Sequence, residues 1–68
     1  MAQVELYEVD VEVEAHGDDA LLVSDGTNTG WVPYSLIDEE SEITRKSVVG
    51  AAGTLVLPEW KAVELGLA

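Results

Sequence analysis

The chain has no cysteine, no phenylalanine, two prolines, one histidine (His16) and only three cationic side chains, Arg45, Lys46 and Lys61. Without cysteine there can be no disulfide, no thiolate zinc site and no thiol nucleophile. With so few cations the chain cannot neutralise a row of phosphates, so direct binding to DNA or RNA is not expected. No apolar run approaches the roughly 18 residues of a membrane span, and the Met1–Glu5 start carries no basic signal-peptide region. A soluble, cytoplasmic protein is the expectation from these absences.

What is abundant is acid. Fourteen Asp and Glu against three Lys and Arg give a net charge of -11 over 68 residues. Long-range repulsion opposes approach to nucleic acid or an anionic membrane surface, so its electrostatic partners should be cationic: a basic protein surface, or simply salt and water. Apolar residues still make up 47% of the chain, enough to fold a single small domain over 1–68. A core of this size, with neither disulfide nor metal to reinforce it, makes self-association as a homodimer a reasonable expectation.

The first segment, Val4–Glu14, alternates apolar and acidic residues, the period of a half-buried β-strand. Val4 and Leu6 fall on even positions and Val9, Val11 and Val13 on odd ones, which predicts a bulge or bend near Tyr7–Glu8. Ala15–Asp19 is turn chemistry, and Ala20–Ser24 reads as a second, central strand. Asp25–Gly30 is a hairpin loop bounded by glycines, and Trp31–Tyr34 a third strand in which pairing should stop at Pro33 or lie on an edge. Ser35–Ile37 should be a short turn, and Asp38–Glu42 an exposed acidic loop. Ile43–Val49 is strand-like, Gly50–Gly53 a tight connection, and Thr54–Leu57 the last strand. Pro58 suits a first helical position, Glu59 complements the helix dipole, and Gly66 can end the helix. Trp60, Val63 and Leu67 would share its inward face. The expected fold is mainly β: a small antiparallel sheet of four or five strands, rolled toward a barrel, with one short C-terminal helix.

Leu21–Val23 followed by Gly30-Trp31-Val32-Pro33-Tyr34-Ser35-Leu36-Ile37 resembles the W-[IV]-P-x-S-x-I pattern of small uncharacterised β-rich proteins of prokaryotes and phages. Gly53-Thr54-Leu55-Val56-Leu57-Pro58-Glu59-Trp60, with Ala62 and Gly66-Leu67, resembles the L-P-E-W-x-A…G-L ending of the same group. This resemblance implies a compact β-rich domain with a C-terminal helix, and no particular activity. By size and charge the chain also resembles acidic phage inhibitors of host defence, the anti-CRISPR and DNA-mimic proteins.

The chemistry-bearing feature is the carboxylate ladder Glu8, Asp10, Glu12 and Glu14. Alternate residues of a strand lie about 6.8 Å apart on one face, close to the roughly 7 Å between successive phosphates of one DNA strand. Such a face could mimic nucleic acid on a basic nucleic-acid-handling protein, with Asp38, Glu39, Glu40 and Glu42 as a second patch. The plainer reading is a solvated face whose like charges discourage aggregation. Trp31 and Tyr34 are candidates for a half-exposed contact point, and Trp60 for a core anchor.

Asp18, Asp19 and Asp25 could form a calcium site only if their two loops met, and no EF-hand spacing is present; neither metal nor cofactor is implied. Ser24, His16 and Asp25 could be drawn as a triad, but no nucleophile-elbow glycines surround Ser24. The sequence therefore points to a non-enzymatic acidic binding protein of a phage or mobile element. The alternative is a structural or adaptor module whose acidity serves solubility or life in high salt.

Overall fold

A computed structural model describes residues 4–68; residues 1–3 of the Met1–Glu5 start, expected to carry no signal peptide, lie outside the described residues. The strands are β1 (Leu6–His16), β2 (Ala20–Ser24), β3 (Thr29–Pro33) and β4 (Ala52–Pro58). A 3-10 turn, Tyr34–Leu36, follows β3, and the helix α1 (Glu59–Leu65) follows β4. All neighbours are antiparallel, in the order β3-β2-β1-β4. The sheet is not closed: β3 and β4 are its two edges.

β1 is the spine, and its partners are staggered along it. Its first half, Leu6–Glu12, pairs with β4, while its second half, Glu12–His16, pairs with β2. Only Glu12 has a strand on both sides. Alternation decides what goes inside: Val11 and Val13 are buried with Leu21, Val23, Val32, Leu55 and Leu57, while Glu8, Asp10, Glu12 and Glu14 are exposed. Burying each of these aliphatics stabilises the fold by about 1.5–3 kcal/mol relative to leaving it exposed.

The bulge or bend expected near Tyr7–Glu8 is not there. Pairing with β4 runs unbroken from Leu6–Pro58 to Glu12–Ala52, and Tyr7 lies in phase with the buried valines. Val4 and Leu6 are simply exposed apolar residues on the acidic face, at 61% and 49%. The irregularity falls instead between Val13 and Ala15, where Glu14 is the extra residue against β2. A bulge there lets the strand change phase at its far end, so that Ala15 rather than Glu14 faces Leu22.

Ile43–Val49 is not a strand. Ile43 is buried, but Val48 and Val49 are 71% and 60% exposed. Local polar side chains win over β-branched propensity here. The Thr44 N–H donates to Ser47 Oγ (2.9 Å), the Lys46 N–H to Thr44 Oγ1 (3.2 Å), and the Ser47 N–H to the Thr44 carbonyl (2.9 Å). Those bonds close a turn and divert the backbone from any ladder.

The helix packs on the inner face through Ala62 and Leu65, with Leu67 buried just beyond it. Trp60 and Val63, expected inside, are 56% and 61% exposed. Ala62 and Leu65 are three residues apart and claim the inward stripe, so Trp60, about 200° round from Ala62, must face away. Gly30, expected in a loop, lies in β3 beneath the helix. A Cβ there would come within 3.0 Å of Leu65, so a bare backbone is what lets the helix approach. Gly66 ends the helix in the left-handed region (φ 77°), as the sequence suggests.

Candidate functional site

The hydrogen-bond parity of β1 determines how its acids are presented. The Glu59 N–H donates to the Glu5 carbonyl (2.8 Å) and the Val13 N–H to the Ala51 carbonyl (2.8 Å). Odd residues of β1 therefore bond toward β4, and the even ones direct their N–H and C=O to the opposite side. Side chains of the even residues share the outer face. There Glu8 stands opposite Val56, Asp10 opposite Thr54, and Glu12 opposite Ala52 on one side and Ser24 on the other. The row is thus flanked by small or neutral side chains, and among the described residues no cation answers it.

The three cations are elsewhere. Lys61 pairs with Glu64 on the helix (3.0 Å) and lies 5.9 Å from the Trp60 ring centre. Arg45 sits 5.2 Å from the centre of the Tyr34 ring, and Lys46 is exposed in the adjacent turn. Among the described residues Lys61–Glu64 is the one ion pair. Glu8, Asp10, Glu12 and Glu14 are therefore uncompensated. Their middle borders a shallow depression lined by Asp10, Glu12, Ser24, Asp25, Ala52 and Gly53, among others.

The second acidic patch is largely structural. Segment 38–43 runs along the free edge of β4 and bonds to it. Asp38 N–H donates to the Val56 carbonyl (2.8 Å), and Glu42 N–H to the Thr54 carbonyl (2.8 Å). The buried Ser41 Oγ accepts from the Val56 N–H (2.8 Å) and donates to the Val56 carbonyl (3.0 Å). Glu42 Oε1 accepts the Thr54 N–H (2.9 Å), and this bond, ahead of the Thr54 hydroxyl, holds its carboxyl below the usual range. Asp38 Oδ2 accepts the Glu40 N–H (3.0 Å). Glu39 and Glu40 alone keep exposed carboxylates with no such task. Thr54 also links the patches: its hydroxyl donates to Asp10 Oδ1 (3.3 Å).

Trp31, 47% exposed, faces Leu22 across the β2–β3 pair, and Leu22 in turn faces Ala15 beside Glu14. It therefore shares the acidic face two strands away, about 10 Å from β1. Tyr34 is not part of that face. It is half-buried, its hydroxyl donates to the Gly17 carbonyl (2.8 Å), and its N–H donates to the Asp19 carbonyl (3.0 Å). These bonds tie the end of β3 to the β1–β2 turn.

The remaining constellations come apart. Asp18 and Asp19 lie at one end of β2 and Asp25 at the other, so the two loops do not meet. Asp25 Oδ1 accepts the Asn28 N–H (2.7 Å) and the Thr27 N–H (2.8 Å), which hold its carboxyl below the usual range and build the hairpin turn. Ser24 Oγ accepts the Gly26 N–H (3.1 Å) in the same turn. His16, at the far end of the sheet, donates its Nε2–H to the Ser47 carbonyl, so no triad is assembled. No group of three metal-ligating side chains comes together among the described residues, and no helix there is long and apolar enough to cross a membrane.

Comparison with protein-family models, curated proteins and solved structures found no match for this chain.

Proposed function

We propose that this is a non-enzymatic acidic binding protein whose β1 face occupies a basic, nucleic-acid-binding surface on a partner protein. The observation that carries the reading is the uncompensated row Glu8, Asp10, Glu12 and Glu14 on the outer face of one strand, flanked by Ala52, Thr54 and Ser24 rather than by cations. Surface acids that serve solubility alone are normally mixed with cations. This row is held in register by the sheet, so its charges are spaced before any partner arrives. The likeness in size and charge to DNA-mimic inhibitors of host defence, anti-CRISPR proteins among them, supports the same reading. Charge complementarity would speed encounter, and Trp31 on the same face would slow release.

The test is capture of cationic proteins from a prokaryotic lysate on the immobilised chain and on a variant with E8Q, D10N, E12Q and E14Q. The reading expects a nucleic-acid-binding protein retained at low salt by the native chain, competed by DNA and lost from the folded variant. Equal retention by both overturns it and leaves the acids a role in solubility.

A further inference from the structure

The parity of β1 leaves a strand edge without a partner. Leu6, Glu8 and Asp10 aim their backbone N–H and C=O away from β4, but β2 pairs only from Glu12 onward. Among the described residues no backbone or side-chain group bonds to the N–H or C=O of these three. The other edges are closed or blunted. The free N–H groups of β4 at Thr54 and Val56 are taken by Glu42 and Ser41. β3 is only five residues long, and Pro33 at its end has no N–H to offer.

We propose that the Leu6–Asp10 edge accepts an extended basic segment of the partner protein as an added strand, with cations at alternate positions facing Glu8 and Asp10. This rests on the charge reading above and specifies how the partner docks. Main-chain bonds would supply affinity and the alternating cations specificity, the division of labour of strand addition. A residue directly across from Glu8 on the outer face lies within about 5 Å of it, where opposite charges attract and like charges repel. That rule also excludes a second copy as the occupant. An antiparallel β1–β1 pairing centred on Glu8 sets Glu8 against Glu8, and a shift by one pair sets Glu8 against Asp10.

The probe is the peptide acetyl-Lys-Val-Lys-Val-Lys-Val-Lys-amide, with two isomers of equal charge N-methylated at either the lysine or the valine amides. Titration should protect the Leu6, Glu8 and Asp10 amides from hydrogen exchange. Antiparallel addition uses lysine amides and parallel addition valine amides, so one isomer alone should lose binding. In the protein, E8P should bind the unmethylated peptide about tenfold more weakly than E8Q, one main-chain bond's effect. Because the position-8 N–H takes no part in the β4 ladder, E8P should still fold, which circular dichroism checks.

Equal binding of both isomers with no new protection, while the fourfold acid variant loses the peptide, overturns strand addition and leaves the charge reading intact. Binding unaffected by the acid variant overturns both. Free protein that sediments as a dimer with these amides already protected would assign the edge to a second copy and overturn the proposal.

Discussion

Two strand edges of this small sheet are treated in opposite ways. Along β4, the groups left over from pairing with β1 are met one by one: Ser41 takes the Val56 N–H, Glu42 takes the Thr54 N–H, and backbone amides of 38–43 take the carbonyls. Pro58, next in the same parity, has no N–H and so needs no acceptor there. Along the first half of β1, the equivalent groups of Leu6, Glu8 and Asp10 meet no partner among the described residues. An exposed edge is a liability that proteins blunt with charge, proline or cover. β4 is blunted by cover, whereas the β1 edge carries only charge of one sign. Negative charge deters a second copy and admits a cationic strand, so the same residues serve as a guard and as a selector.

Proline substitution breaks this comparison most sharply. Val9 faces β4 and donates into the ladder, so V9P should cost as much as proline inside a helix, ~3 kcal/mol or more. For so small a core that approaches global unfolding, visible as loss of the cooperative thermal transition. If V9P and E8P melt alike, the parity assigned to β1 is wrong. Next in size is the seal on β4. S41A leaves the buried Val56 N–H without an acceptor and should cost about 1–3 kcal/mol in denaturant titration. A similar loss, about 1–3 kcal/mol of overpacking, is expected for G30A, because the new methyl meets Leu65 at 3.0 Å. That variant probes the helix contact and should leave both edges unchanged.

Much of this architecture was legible in the residues, and the failures are physical ones. Alternation of Val9, Val11 and Val13 with acids requires an exposed carboxylate row on a half-buried strand, and the structure has it. Leu6 misled, because an apolar residue before a clear alternation reads as inward although the face it joins is open to solvent. Ile43, Val48 and Val49 read as strand because branched propensity is local information, whereas the Thr44–Ser47 turn depends on which hydroxyl finds which amide. Trp60 misled for a different reason: three possible stripes run along a seven-residue helix, and only docking on Gly30 selects the one through Ala62 and Leu65. The seal by Ser41 and Glu42 had no signature at all. It looks like an acidic loop until β4 is placed beside it.

The smallest effect separates an acid with a structural task from acids without one. The Glu42 carboxyl is held below its ordinary value of 4.5, chiefly by the Thr54 N–H and then by the Thr54 hydroxyl. A depressed carboxyl contributes stability that is fully present above its unfolded value and is lost as pH falls through the folded one. Native protein should therefore be more stable than E42Q at neutral pH, with the gap closing as pH drops below about 4.5. E8Q should not lower stability at neutral pH, since Glu8 meets no donor among the described residues and its removal only relieves repulsion in a chain of net charge -11. Parallel denaturant titrations from pH 7 to pH 3 distinguish the two. If E42Q tracks the native chain at every pH, the bond to Thr54 does not seal the β4 edge, and the contrast between the edges rests on Ser41 alone.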